Sequence, residues 1–461
     1  MAEDINDTVE REEDGYELDN RKVSAVRLAV AAGDAERLSE VLDPLHAADI
    51  ADLLEQVDSG HRREILLLGA THIDGEVLSE LDESIRDEVI EFLPKNVLDD
   101  AVRDLESDDV VDLIEDMEEP QQAAILDVLT DADRVAVEQA LAYPEYSAGR
   151  LMQREVVAAP EHWNVGDAID FLRSNKRELP EQFYHVFVVD PKMNPIGYVT
   201  LGKLLSTSRD VPMTSILEDS FKVIPVTQPE SEVAYAFNQY HLISAPVVDD
   251  EGRLVGMITI DDAMIVLDEE HEEDILRLAG VGEGSLADRV IDTTKQRFPW
   301  LFVNLITAIL ASLVISQFEE TIAQFVALAV LMPIVASMGG NAGTQSLTVA
   351  VRAIATKDLT GSNVWRVVRR EALVGLVNGS IFAVVMGVVG VVWFGTPMLG
   401  VVIAVAMVLN LVIAGLAGIL IPVTLDKFGI DPALASGAFV TTVTDVVGFF
   451  AFLGLAAAVL I

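Results

Sequence analysis

Hydrophobic and polar positions alternate with three rhythms along this chain, and each predicts a different kind of element. From about residue 24 to 145, apolar residues recur at helical spacing between turn signals, which predicts a run of short amphipathic helices. Within it Asp49-Ile-Ala-Asp-Leu-Leu-Glu55 aligns with Asp109-Val-Val-Asp-Leu-Ile-Glu115, and Ile65-Leu66 with Ile125-Leu126, both at an offset of sixty. A repeated helical unit of that size predicts a small superhelical array. A second repeat follows, in which Val188-Val189-Asp190 aligns with Val247-Val248-Asp249, Gly197 with Gly256 and Thr200 with Thr259, all offset by fifty-nine. Each copy reads as strand, turn, strand, then helix, preceded by an amphipathic helix. After Phe298-Pro299-Trp300 the periodicity gives way to apolar blocks of bilayer-spanning length, near 298–316, 322–354, 366–394, 398–425 and 434–460.

Charge sharpens that division. The formal net charge is −44, yet mean hydropathy is +0.36. From Lys295 onward there are 8 Lys/Arg against 7 Asp/Glu, so the acid excess lies entirely in the polar N-terminal part. A nucleic-acid binder would need a basic face, and that class is excluded. Cys is absent, which removes disulfides, thiolate metal sites and Cys nucleophiles. The first twenty residues are acidic and polar, unlike a signal peptide, and read as a disordered tail. All eight basic residues of the membrane part fall on one side if the N-terminus is cytoplasmic, because the connections at Gln317–Thr321 and Gly395–Pro397 hold none. The expected topology is therefore N-terminus inside and C-terminus outside.

Few polar groups remain within the spans, and Asp445 stands out near mid-membrane. A charged Asp there costs at least about 2.5–3.5 kcal/mol unless it faces water or a partner. All seven His precede residue 272 and no Lys or Arg shares that depth, so a cation becomes the candidate partner. The competing reading is a protonated Asp bonded to a neighbouring Ser, Thr or Asn. Thr441 lies one turn before Asp445 and Gly448 about one turn after, which gives one face a carboxylate, a hydroxyl and a close approach. Span two carries Pro333 and the run Gly339-Gly340-Asn341-Ala342-Gly343-Thr344-Gln345, which predicts a break or kink lining a wet cavity. Asn410, Gly415, Gly418 and Pro422 lie in span four, and Glu371, Asn378 and Gly379 in span three. Close helix packing explains the glycines better than a pore does, while Asn341 and Asn410 suit either. Gly340, Asn341, Asn410, Thr441 and Gly448 are the candidate pore-lining set.

Between the second repeat and the membrane, Leu267-Asp-Glu-Glu-His-Glu-Glu-Asp-Ile275 crowds carboxylates onto one predicted helix. Asp261, Asp262, Asp268, Glu270, Glu273 and Asp274 are the candidate cation ligands, since Mg²⁺ and Ca²⁺ suit all-oxygen sites. Plain solvation in a salty cytoplasm is the alternative, and for the tail and helical array it is the better one. Ser244-Ala-Pro-Val-Val-Asp-Asp through Thr259-Ile-Asp-Asp262 resembles half of a CBS domain. The resemblance implies a paired sensing module, with Thr259 and Asp262 at the positions that hold a nucleotide's ribose, ATP being the candidate. In the first copy the Asp position is Lys203, so at most one such contact survives. Walker-type phosphate loops are absent and nothing points to an enzyme.

Taken in order, an acidic helical array, two CBS motifs, an acidic helix and five spans resemble the MgtE family of magnesium channels. Gly339–Gln345, Asp431-Pro432, Ser436-Gly437 and Thr441–Asp445 carry the resemblance most specifically. It implies a multidomain homodimer in the cell membrane: a disordered tail (1–20), a cytosolic all-α superhelical N domain (21–148), CBS motifs (149–215 and 216–266, α+β), an acidic plug helix (267–294) and a five-span α-helical pore domain (295–461). It further implies a pore on the two-fold axis with Asp445 in it. Cytosolic Mg²⁺ would bridge the N-domain, CBS and plug carboxylates and hold that pore closed. A CBS-regulated carrier of another divalent cation, Mn²⁺ or Co²⁺, and a non-transporting membrane sensor remain as alternatives.

Overall fold

The computed structural model describes residues 20–115, 117, 119–174, 179–180, 183–218, 221–281 and 290–461. The acidic tail lies outside them apart from Asn20. The chain divides into two compact units, 1–267 and 268–461.

The first unit opens with helices α1 (Asn20–Ala32), α2 (Ala35–Leu42), α3 (Ala47–Glu55), α4 (Ser59–Leu68), α5 (Gly75–Ser79), α6 (Glu83–Phe92), α7 (Lys95–Asp104), α8 (Ser107–Glu115), α9 (Glu119–Leu126) and α10 (Asp131–Ala140). Side-chain caps set several of the starts. Asp34 accepts from Arg37 N, Asp58 from Gly60 N and His61 N, and Thr130 from Asp133 N. The sixty-residue repeat is visible in three dimensions, because α3 and α8 occupy positions 47–55 and 107–115. Their apolar faces seed two separate cores. Ile50, Leu53, Leu54 and Ile65 lie in one, and Val110, Leu113, Ile114 and Ile125, their equivalents, in the other. Each fully buried aliphatic side chain contributes about 1.5–3 kcal/mol, so each copy is organised around its own cluster.

Two three-stranded sheets follow. The first runs β1 (Ala158–Pro160), β2 (His185–Val189), β3 (Pro195–Thr200), and the second β4 (Ile224–Pro225), β5 (Ser244–Val248), β6 (Leu254–Thr259). In both, the outer pair is parallel and the hairpin antiparallel, with His185 opposite Thr200 and Ser244 opposite Thr259. Even the bulge recurs, between Val188/Val189 and Val247/Val248. Helices α12 (Val165–Ser174) and α13 (Leu201–Ser206) cover the first sheet; α14 (Glu230–Tyr240) packs in the second motif. His185 and Ser244, equivalent by the repeat, hydrogen-bond to each other in the buried join. The entering segment, α11 (Ala148–Leu151) with Met152, packs into the core of the second motif. Gln153 bridges Met257 there, and a side chain on Gly256 would lie 2.6 Å from Gln153 O. Strand β6 leads into α15 (Ile260–Leu278), which runs on without a break through the acidic sequence.

The second unit carries α16 (Val290–Ser316), a short α17 (Glu319–Gln324), α18 (Ala327–Ala355), α19 (Val364–Phe394), α20 (Pro397–Lys427) and α21 (Pro432–Leu460). Five of these are long and apolar enough to cross a membrane. The α20 helix is the most enclosed and packs against α18, α19 and α21. One expectation is corrected. The break in the second apolar block falls at Phe325–Val326, and α18 continues through both Pro333 and Gly339–Gln345. The glycines are helical because neighbours occupy the space their side chains would need. A Cβ on Gly339 would collide with Asn410 Nδ2, one on Gly343 would sit 2.6 Å from Val440, and one on Gly418 2.7 Å from Gly343 O. Close packing outweighs the roughly 0.5–1 kcal/mol that a helical Gly costs relative to Ala.

Candidate functional site

The carboxylates of the acidic connection divide between two places. The first is in the N-terminal unit. Glu106, Asp108 and Asp109 at the start of α8 and Asp262 at the start of α15 are perturbed by their neighbours, among which are Glu155 beyond α11 and Asp261 beside Asp262. Burial is the largest cause, and mutual repulsion adds to it. Glu106 and Asp109 are pushed up to about 7, Asp262 to about 6, and Asp108 well above the ordinary carboxylate range. Hydrogen bonds hold the group in place: Gln153 Nε2 donates to Glu106 (2.6 Å), Ser107 Oγ to Glu155 (2.8 Å) and Thr259 Oγ to Asp262. Of the guanidinium groups on neighbouring segments, Arg150 pairs with Glu115 and Arg86 with Asp112, both at 2.8 Å, while Arg154 donates to Gln139 (3.4 Å). Among the described residues none of the six carboxylates has an ion-pair partner.

Asp261 and Asp262 are candidates from the sequence; Glu106, Asp108, Asp109 and Glu155, which lie with them, are not. A signal was present in the repeat, since Glu106 replaces His46 and Asp108 replaces Ala48 in the second copy. Asp262 is also the candidate ribose ligand. Its Oδ2 is already engaged by Thr259, and the surrounding carboxylates would repel phosphate. Lys203, its counterpart, pairs with Glu218 at 3.2 Å.

The second place is the end of α15, in the membrane unit. Arg277 pairs with Glu273 (2.8 Å) on its own helix and with Asp431 (3.1 Å), which caps α21 by accepting from Ala433 N. Glu270 and Asp274 are raised by burial first and by Asp431 among their neighbours. Asp268 is exposed.

The third place is α21. Asp445 lies near the middle of the helix, half-buried, and among the described residues no hydrogen bond or ion pair reaches its carboxylate. Beside it Thr444 is fully buried against Gly343. Thr441 is exposed and donates to Gly437 O (3.0 Å). Gly340 faces open space and Asn341 is exposed, with Nδ2 directed at Ser337 Oγ (3.4 Å). Asn410 and Gly448 behave differently. Asn410 is fully buried, donates to Val335 O (2.8 Å), and lies against Gly339 and Gly448, so these two residues join helices rather than face an open surface. Among the described residues no three His, Asp or Glu side chains converge as a metal's direct ligands.

Family models match the chain in the same order. An MgtE intracellular N domain covers residues 45–146, CBS domains 148–210 and 209–269, and the MgtE divalent cation transporter 332–455. The magnesium transporter MgtE of Thermus thermophilus is 33% identical over 445 residues, 95% of this chain and 98% of that one. The chain belongs to the MgtE family. A second MgtE, from Enterococcus faecalis, is 34% identical over 320 residues, 69% of this chain and 70% of its own length. A solved structure, the cytosolic domain of the Mg²⁺ channel MgtE in complex with ATP, is similar at 29% identity and a TM-score of 0.48, covering 53% of this chain and 99% of that one. The MgtE architecture thus agrees with the resemblance carried by Gly339–Gln345 and Thr441–Asp445.

Proposed function

We propose that this chain mediates passive, Mg²⁺-selective entry across the cell membrane as a homodimer, and that cytosolic Mg²⁺ closes it. One observation carries the pore reading: Asp445 stands mid-helix in a membrane span with no cationic side chain to balance it. Two copies about a two-fold axis would match the charge of one Mg²⁺. That ion keeps several waters and is often held through one or two carboxylates, so exposed Asn341 and Thr441 suit its hydration shell. With the N-terminus cytoplasmic, the membrane potential drives entry by about 2.3 kcal/mol per charge per 100 mV, doubled for a divalent ion.

The gate reading rests on the two carboxylate groups. Partly buried acids that repel one another when ionised are held together by counter-cations, and a hydrated Mg²⁺ can bridge them without three converging ligands. Mg²⁺ uptake into proteoliposomes, wild type beside Asp445→Asn, with Mg²⁺ varied on the cytoplasmic face, tests both. Flux lost in the variant and shut by cytoplasmic Mg²⁺ in the wild type supports pore and gate. Flux indifferent to cytoplasmic Mg²⁺ removes the gate. Mn²⁺ or Co²⁺ carried as well as Mg²⁺ favours the broader cation carrier, and no flux at all the sensor. The carboxylates around Asp262 weigh against ATP at Thr259 and Asp262, and titrating the same preparation with ATP tests it.

A further inference from the structure

Three arginines open the third span, and they fit nothing in the ion path. Arg366, Arg369 and Arg370 are all exposed at the start of α19, and among the described residues none forms an ion pair, in a chain whose acids outnumber its bases 75 to 31. The adjacent acid does not neutralise them. Glu371 is turned into the helix packing, 9% exposed, where it accepts from Ser346 Oγ at 2.9 Å. The arginines form the upper end of an open groove of about 660 Å³. Its lower part is mostly apolar, lined by exposed Leu373, Val374 and Val377 one and two turns further along the same face, with Asn378 at its end. Trp365, 68% exposed, flanks the charged end as an interfacial aromatic would.

We propose that this groove is a binding site for an anionic phospholipid, with the headgroup phosphate on the arginines and an acyl chain along Leu373, Val374 and Val377. From Arg366 to Val377 the helix rises about 16 Å, enough for a headgroup and the upper part of one chain. Sidedness agrees, since the orientation proposed above puts this end in the cytoplasmic leaflet, where anionic headgroups concentrate. Charge complementarity selects the occupant. A purely apolar neighbour would leave three guanidinium groups unmatched, and a soluble anion would leave the apolar half unfilled.

Native mass spectrometry of the purified full chain, titrated with phosphatidylglycerol or phosphatidylcholine, is the test. Binding of phosphatidylglycerol should exceed that of phosphatidylcholine at least tenfold, fall at least tenfold in the triple variant Arg366→Gln, Arg369→Gln, Arg370→Gln, and persist in the triple Lys variant. The Lys variant guards against misfolding, because it keeps the charge. Equal binding of the two lipids, or unchanged binding in the Gln variant, overturns the proposal. So does displacement by millimolar inorganic phosphate, which would make the site one for free phosphate. Crosslinking of a cysteine introduced at Val377 to a second copy would assign the groove to an interface and overturn it equally. None of these readouts depends on Mg²⁺ flux, so failure here and failure of the transport reading are separable.

Discussion

Asp445 and the glycines around it answer to different forces, and single substitutions separate them. At Gly418 a methyl group would meet Gly343 O at 2.7 Å, backbone against backbone, so Gly418→Ala has to push α18 and α20 apart. The expected cost is about 1–3 kcal/mol, read as a lower unfolding temperature of the purified protein in detergent. Gly340 has nothing within 4 Å, and Gly340→Ala should leave that temperature unchanged. Should Gly418→Ala unfold like the wild type, close packing between α18 and α20 is not what Gly418 is for. Asp445→Asn should abolish flux while leaving stability intact, since no hydrogen bond or ion pair within the described chain is lost. Asn410 fits the packing group, being enclosed by Gly339 and Gly448 with its Oδ1 unpaired.

Between elements, the start of α8 against the start of α15 is where acidity sets stability. The folded-state values of Glu106, Asp109 and Asp262 lie above those of free carboxylates, at about 7, 7 and 6. Protonation therefore favours the folded contact. Its stability is fully present below about pH 4 and is lost as pH rises through 6 to 7. Thermal unfolding followed in a chelator should show a higher midpoint at pH 5 than at pH 7.5. Millimolar Mg²⁺ should restore the loss at pH 7.5, and Asp108→Asn with Asp109→Asn should diminish it. A midpoint indifferent to both pH and Mg²⁺ would leave these acids as solvated surface. At the far end of α15, Arg277→Gln removes the counter-charge shared by Glu273 and Asp431, so closure should need more cytosolic Mg²⁺. The elements themselves were legible because their signals are periodic: offsets of sixty and fifty-nine, and apolar blocks of spanning length. The α8–α15 contact was hidden because it joins residues about 150 positions apart, and no local pattern encodes such a meeting. Continuity of α18 through Gly339–Gln345 was hidden likewise. Isolated propensity argues for a break, and only the neighbours Asn410, Val440 and Gly418 explain why the helix persists.

For the molecule as a whole, −44 charges confined to the polar part make monovalent salt a competitor for any divalent effect. Raising KCl from about 0.1 to 1 M shortens the screening length from roughly 10 to 3 Å. If acidity serves only solvation, KCl should reproduce everything Mg²⁺ does to protease resistance of the full chain. If it serves a gate, low millimolar Mg²⁺ should protect the chain to an extent that molar KCl does not. The fifty-nine-residue duplication has a consequence of its own. Its two halves share fold, register and bulge, yet one presents Lys203 where the other presents Asp262. The two halves thereby offer a guest different chemistry, a Lys203–Glu218 pair in one and the Asp262 carboxylate in the other. Isothermal titration with ATP should therefore not return two equivalent sites per chain.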